Sequence, residues 1–508
     1  MRNRCLTFLF FCLLAAAASS QQPSPTSSSS APPSKSSSTP AQSPKAGTTP
    51  AAAAEKAADS VKIEAKTPDY AQESFVIEQM HSHYRFEADG TGRKEITARI
   101  RVQSEAGVQQ WGQLQEGYNS ANERVEIPYV RVLKEDGTVV KAGDDAVQDL
   151  SAPIEREAPV YTDYRQKHIT VPGLRPGEVL EYDMVTVIHT PLAAGQFWTE
   201  YEFDKTNIDL DETLDVDVPA GRSLKLKCKP GMDPTITEAN GRRVYHWSTS
   251  HLAREDDSKD KDKDKKKKKH RPDDDRPDVQ MTTFESWEQI GRWYADLEKD
   301  RRAPTPEVRA KAQELTKGLN TDLDKTEALY DYVAKNFRYV SLSLGVGRYQ
   351  PHAASDVLHD QYGDCKDKHT LLASLLEAEG LHADSVLINS SRKLDPDVPS
   401  PSQFDHVITM LPMGTGDKKE EVWMDTTAEV GPFRLLAYQL RKKQALVIPP
   451  VNPPSTIAPH LEETPADTPM PDSEVSQIDG KINDIGKLEA HVHYEFRGDE
   501  ELMLRSVF

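Results

Sequence analysis

The sequence predicts an α+β protein: an antiparallel β-sandwich over 70–250, then an α+β domain over 280–450, with a short β segment at 473–508. Three observations predict it. Several runs between 96 and 229 alternate apolar and polar side chains with the period of a half-buried strand. Residues 284–300, 325–337 and 362–381 instead carry apolar side chains at helical spacing. The two regions are separated by a charged stretch, 254–278, without one aliphatic or aromatic side chain, and such alternating charge blocks are solvated linkers.

At the N-terminus, Arg2 and Arg4 precede an apolar run from Leu6 to Leu14 and the small residues Ala15 to Ser20. That order describes a secretory signal peptide over 1–20, so the chain is expected to be exported, to the periplasm or beyond. Phe10 and Phe11 stand before Cys12 where a lipid-anchor signal wants small residues. No later stretch approaches the roughly 18 apolar residues of a membrane-spanning helix, so no transmembrane segment is expected. Residues 21–65 are rich in Ser, Pro and Ala and poor in large apolar side chains, the composition of a disordered tether.

The strand runs are 96–103, 125–133, 179–188 and 224–229, with turns at Asp136-Gly137, Pro172-Gly173 and Pro176-Gly177 between them. Evenly spaced strands and turns suit a sandwich. His81 and His83 share a strand face, but two histidines without a third ligand make no metal site. Once the signal peptide is removed, only Cys228 and Cys365 remain of the four cysteines, too few for a disulfide framework. Cys228 falls on the last of these alternating runs and reads as a buried, inert thiol.

In the second domain, 284–300 and 325–337 read as core-facing helices, their aromatic side chains as packing. The run 338–352 is strand-like. The stretch 362–381 carries the chemistry. Asp364 is a good N-cap, Leu371, Leu372, Leu375 and Leu376 form one stripe, and Gly380 stands where a helix stops. Cys365 is therefore placed in the first turn, where unpaired N–H groups and the positive end of the helix dipole favour a thiolate. An acyl transfer through sulfur also needs a proton shuttle. His406 opens the strand pattern FDHVITML, and Asp425 closes EVWMDTT, so both side chains are expected at one sheet edge.

These residues resemble a known family. The run RYQPHAASDVLHDQYGDCKDKHTLLASLLEAEGL is similar to the core of the bacterial transglutaminase-like superfamily, a papain-like fold, and FDHVI and WMDTTAEVGPF resemble its His and Asp segments. The preceding region resembles the domain of unknown function found before such domains in exported bacterial proteins. The likeness implies Cys365 as nucleophile, His406 as general base and acid, and Asp425 as the carboxylate that holds the imidazole. For the oxyanion hole, the backbone N–H of Cys365 and a donor from Gln350 or Tyr349 are candidates.

The expected function is thiol acyl transfer on a peptide or carboxamide bond, as a cysteine peptidase, amidase or protein-glutamine transamidase, with a polypeptide or cell-envelope peptide as substrate. Water is the default acceptor unless the site rejects it. The alternative is a non-catalytic envelope scaffold with a vestigial triad. The formal charge of −19 argues against nucleic acid as a partner. No cofactor and no metal are expected. Residues 451–472 form a Pro-rich connector to the β segment, whose strand pattern stops at Phe508 in mid-pattern, as the start of a longer domain or as a strand pair added to another domain.

Overall fold

A computed structural model describes residues 70–151, 163–253, 276–340, 348–414 and 420–507. The expected signal peptide, the tether and positions 254–275 of the charged stretch lie outside the described residues. Eight strands make the main sheet of the first half: β1 (Phe75–Phe86), β2 (Gly92–Val102), β3 (Glu123–Leu133), β4 (Val139–Lys141), β5 (Val179–Ile188), β6 (Asp209–Pro219), β7 (Thr235–Ala239) and β8 (Arg242–His251). Across the sheet they run β7-β8-β6-β1-β2-β5-β3-β4. Period-two side chains account for these strands. Ala98, Ile100 and Val102 of β2 point inward together with Val130 and Val132 of β3 and Leu180 and Tyr182 of β5.

One pairing departs from the sequence expectation of an all-antiparallel sandwich. β1 and β6 run parallel, with Tyr84 opposite Val216, while their other neighbours are antiparallel. A parallel pair needs a long crossover rather than a hairpin, and the excursion through β2 to β5 supplies it. Two three-stranded sheets complete this half. Gln113–Asn119, Tyr164–Thr170 and Val147–Ser151 form one, and Trp198–Tyr201, Val279–Thr282 and Lys225–Cys228 the other.

Val279–Thr282 is the middle strand of that second sheet, flanked by Trp198–Tyr201 and Lys225–Cys228. The end of the charged stretch is accordingly no solvated linker. Asp278 is fully buried, and its carboxylate accepts from Lys205, Lys229 and the Phe203 N–H. Opposite charge and a backbone donor offset its desolvation, which an isolated carboxylate could not sustain.

The second half starts with α1 (Trp287–Glu298), α2 (Pro306–Leu315), α3 (Asp322–Asn336), α4 (Ala354–Asp360) and α5 (Cys365–Ala378). Each of α1, α2 and α3 is opened by a Ser or Thr whose hydroxyl accepts a backbone N–H of the first turn: Ser286, Thr305 and Thr321. A five-stranded antiparallel sheet follows, from β9 (Asp384–Ile388), β10 (His406–Met413), β11 (Glu420–Met424), β12 (Gln444–Ile448) and β13 (His460–Glu463), ordered β11-β10-β9-β12-β13. α5 is the buried spine. Its Leu371, Leu372, Leu375 and Leu376 pack against Leu329 and Val333 of α3 and Leu411 and Val422 of the sheet. Burying each such side chain contributes roughly 1.5–3 kcal/mol.

Two further expectations change. β13 comes out of the Pro-rich connector and pairs with β12, so the sheet continues past residue 450. Its charged side chains suit an edge strand, which carries no second neighbour. The C-terminal strands Ser473–Ile482 and Leu488–Arg497 form a hairpin, but the last residues are a helix, α6 (Asp499–Val507), and not a continuing strand. Gly498, at φ 79°, breaks the strand, and acids at the start of α6 with Arg505 near its end match a helix dipole.

Both halves lie within one compact unit, Pro68–Phe508. Charged pairs link them: Arg392 with Glu200 at 2.7 Å, and Lys227 and Arg276 with the buried Asp395 at 2.8 and 2.9 Å. Among the described residues, no helix is long and apolar enough to cross a membrane.

Candidate active site

Cys365 is the first residue of α5, and the turn before it is built to start that helix. The Asp364 carboxylate accepts from the Asp367 N–H at 3.1 Å, and the Asp367 carboxylate accepts in return from the Asp364 N–H at 3.3 Å, a reciprocal cap. Gly363 is required by proximity, since a Cβ there would stand 2.6 Å from the Asp367 Cβ. Lys366 pairs with Asp364 inside the protein, and His352 Nδ1 lies 3.0 Å from Asp367. Lys368 is fully buried and donates to the carbonyls of Ala334 and Phe337. Burial lowers its pKa to about 8, against the pull of Glu429 and Asp425.

His406 opens β10 beside Ile388 of β9. Asp425 directly follows β11, the neighbour of β10 on the other side. The two side chains meet, with His406 Nε2 3.1 Å from Asp425 Oδ2. The other carboxylate oxygen accepts from the Thr427 N–H at 2.9 Å and its hydroxyl at 2.7 Å, which leaves Oδ2 for the imidazole. Tyr330, from α3, donates to the Asp425 carbonyl and fixes the backbone there.

With Nε2 engaged by Asp425, Nδ1 is the ring nitrogen left free, and Cys365 lies close enough to the imidazole to act on its titration. Burial by itself would pull the His406 pKa down. The Asp425 carboxylate and the Cys365 sulfur outweigh it and hold the pKa well above the ordinary value. Burial likewise tends to raise the Asp425 pKa, but His406 and the Thr427 donors bring it below the usual range. An imidazolium held between a carboxylate and a sulfur can give a proton to a leaving group, and the neutral imidazole that remains can take one from an incoming nucleophile.

The two oxyanion candidates point to other partners. The Tyr349 ring packs edge-on against Trp198 and Trp293, at 6.0 and 5.2 Å between centroids. The Gln350 amide contacts the Leu297 carbonyl and Arg301, both at 3.4 Å. Two other tyrosines, which sequence reading left as packing or strand residues, feel the charge of the sulfur. Tyr294 of α1 is 2% exposed, and its hydroxyl has no hydrogen-bond partner among the described residues. Burial raises its pKa first, and Glu298 and Cys365 raise it further. Tyr339 is raised by burial and then by Cys365 and Asp364. Neither position forms a motif with Cys365, so spacing offered no signal for them.

The remaining singled-out residues have plain roles. Cys228 is a free, half-buried thiol whose pKa burial pushes up to about 11. His369 is buried between Thr409 and Ser385 at 2.7 Å each, and burial lowers its pKa to about 3, so it stays neutral. His81 lies 3.1 Å from Asp211, and no group of three potential metal ligands forms among the described residues.

Comparison with known proteins bears on the fold. Residues 309–418 match a family model described as the transglutaminase-like superfamily, a range that holds Cys365 and His406 and stops short of Asp425. Residues 88–255 match a domain of unknown function, DUF3857. A crystal structure titled as a candidate protease, from Parabacteroides distasonis ATCC 8503, is similar at a TM-score of 0.61 and 16% identity, over 78% of this chain and 72% of that one. A candidate cysteine protease from Cytophaga hutchinsonii reaches a TM-score of only 0.23 at 12% identity, over 59% of this chain and 84% of its own, too low to carry an argument. No curated protein matches the chain.

Proposed function

From a chain that carries a transglutaminase-like domain behind a DUF3857 domain, we propose a thiol acyl-transfer enzyme in which Cys365, His406 and Asp425 act as a triad on a peptide or carboxamide bond. The observation that carries this reading is the position of His406, bonded through Nε2 to Asp425 and facing the cysteine that opens α5. The Cys365 thiolate attacks the carbonyl carbon. The resulting oxyanion takes the Cys365 N–H, one of the unpaired donors at the start of α5. Collapse breaks the C–N bond as His406 Nδ1 protonates the departing amine or ammonia, leaving a thioester on sulfur. A water molecule then attacks the thioester, His406 takes its proton, and a carboxylate product leaves. A second amine in place of water would give transamidation.

Mass spectrometry of a peptide library incubated with the protein tests this reading, by scoring cleavage, deamidation and amine incorporation against a Cys365→Ala control. Iodoacetamide provides a second readout. Selective, pH-dependent alkylation of Cys365 that weakens in His406→Ala is expected. Equal, slow alkylation of Cys365 and Cys228 without any product would instead favour a non-catalytic scaffold.

A further inference from the structure

One helical turn after Cys365, α5 enters a chain of buried polar side chains that the acyl-transfer chemistry does not use. His369 is 1% exposed and stands between α5 and the sheet. Its Nδ1 lies 2.7 Å from Thr409 Oγ1 of β10, and its Nε2 lies 2.7 Å from Ser385 Oγ of β9. Ser385 and Thr409 are direct partners in the ladder of β9 and β10, so both hydroxyls stand on one face and a single imidazole reaches both. The chain continues to α1. Ser385 Oγ is 2.7 Å from each carboxylate oxygen of Glu298, and Arg302 donates to Glu298 at 3.3 Å and to the Ala383 carbonyl at 2.7 Å. All five side chains are buried.

Donor and acceptor counting gives this chain a direction. Burial raises the Glu298 pKa, and Arg302 and Ser385 oppose it by favouring the carboxylate. A carboxylate only accepts, so the Ser385 hydroxyl donates to Glu298 and its oxygen accepts from Nε2–H of His369. Nδ1 is then the acceptor for the Thr409 hydroxyl, and burial keeps the ring neutral, as this tautomer requires.

Apolar side chains of similar size often stabilise a core as well as buried polar groups do. What the polar chain adds is register. The stripe of Leu371, Leu372, Leu375 and Leu376 is drawn to its neighbours without a preferred direction. The bond between His369 and Thr409 instead ties one point of α5 to one point of β10, with a defined distance and angle. Both points stand close to the reacting residues. His369 follows Cys365 by four residues, about 6 Å of helix rise, and Thr409 follows His406 by three, about 10 Å of strand. Resting on the acyl-transfer reading, we propose that His369 is a positioning residue: through Thr409 and Ser385 it holds α5 in the register against β9 and β10 that sets Cys365 beside His406.

Iodoacetamide tests this in the full chain, because its rate at each cysteine follows the thiolate population. Rates at Cys365 and Cys228 are followed across a pH series. In His369→Leu the Cys365 midpoint is expected to rise by about one unit as sulfur and imidazole part, so that the rate below the midpoint falls about tenfold. Thr409→Val, nearly isosteric, should move the profile the same way, and combining the two should add little, since both cut one bond. His369→Asn, which keeps an acceptor for the Thr409 hydroxyl, should restore most of the rate. The Cys228 rate and the thermal midpoint verify folding, and Thr409→Val carries the test by itself should His369→Leu fail to fold. A Cys365 profile that the folded variants leave unmoved, or His369→Asn no faster than His369→Leu, would overturn the proposal and leave His369 a satisfied core residue. The two readings fail separately. A wild-type Cys365 that reacts as slowly as Cys228 sinks the acyl-transfer reading and the positioning role with it, whereas a selective Cys365 indifferent to the variants sinks the positioning role alone.

Discussion

Asp425 gives one oxygen to Thr427 and the other to His406, and this division decides how the imidazole titrates. The His406 pKa is raised, so its pairing stabilises the fold fully below the unfolded value near 6.5 and is lost as pH rises through the folded value. The Asp425 pKa is lowered, so its contribution is present above about 4 and is lost as pH falls through the folded value. Asp425→Asn removes the charge and keeps the shape. The alkaline limb of kcat/KM, which requires protonated His406, is expected to move to lower pH, with kcat reduced roughly 10²–10⁴-fold. A pH–rate profile checks this, and an unmoved alkaline limb would show that another group sets it. His406→Ala is expected to lose about 10³-fold or more, without additive loss when combined with Cys365→Ala, because residues of one triad act as a unit.

Helix α5 begins at Cys365 only because Asp364 caps it, yet the cap is the smaller part of what Asp364 does. Its carboxylate also faces Lys366, which is 3% exposed. Losing an N-cap costs about 1 kcal/mol, whereas breaking a buried ion pair costs roughly 3–5 kcal/mol, so the ion pair dominates. Asp364→Ala is therefore expected to destabilise by about 3 kcal/mol or more in urea unfolding. Thr321→Ala, which removes the simple cap of α3 with its 3.0 Å bond to the Asp324 N–H, should cost only about 1 kcal/mol. Equal losses in the two variants would refute this ranking. The element boundaries that sequence reading placed well, β2, β3, β5, α1 and α5, are those where a periodic run is framed by a turn or a cap. α2 passed unread between two stronger helical patterns, and β13 was hidden in a proline-rich stretch whose pairing depends on β12.

For the molecule as a whole, Asp395 is a joint between the halves. Burial tends to raise its pKa, but Lys227 and Arg276 bring it below the ordinary range. Its stabilisation is accordingly present above about pH 4 and lost as pH falls through the folded value. Calorimetry at neutral pH is expected to show one transition. Asp395→Ala, or acidification below about pH 4, should split it into two as the halves lose their cross-links. A single transition under all three conditions would mean that the apolar contacts around Trp198, Phe284 and Trp293 suffice to couple the halves.

By itself, the sequence determined what is local: the period of each strand and helix, and the cap that starts α5. Those depend on neighbours a few residues apart. Tertiary structure alone decided that β1 lies parallel to β6, that Val279–Thr282 joins the first half, and that His369 meets Thr409 and Ser385. It also decided that Tyr294 and Tyr339 are buried where the charge of Cys365 raises their pKa values, while the Gln350 amide turns to Leu297 and Arg301. Such pairings join residues far apart in the chain, and their outcome rests on the burial and register of the whole sheet, which no local pattern encodes.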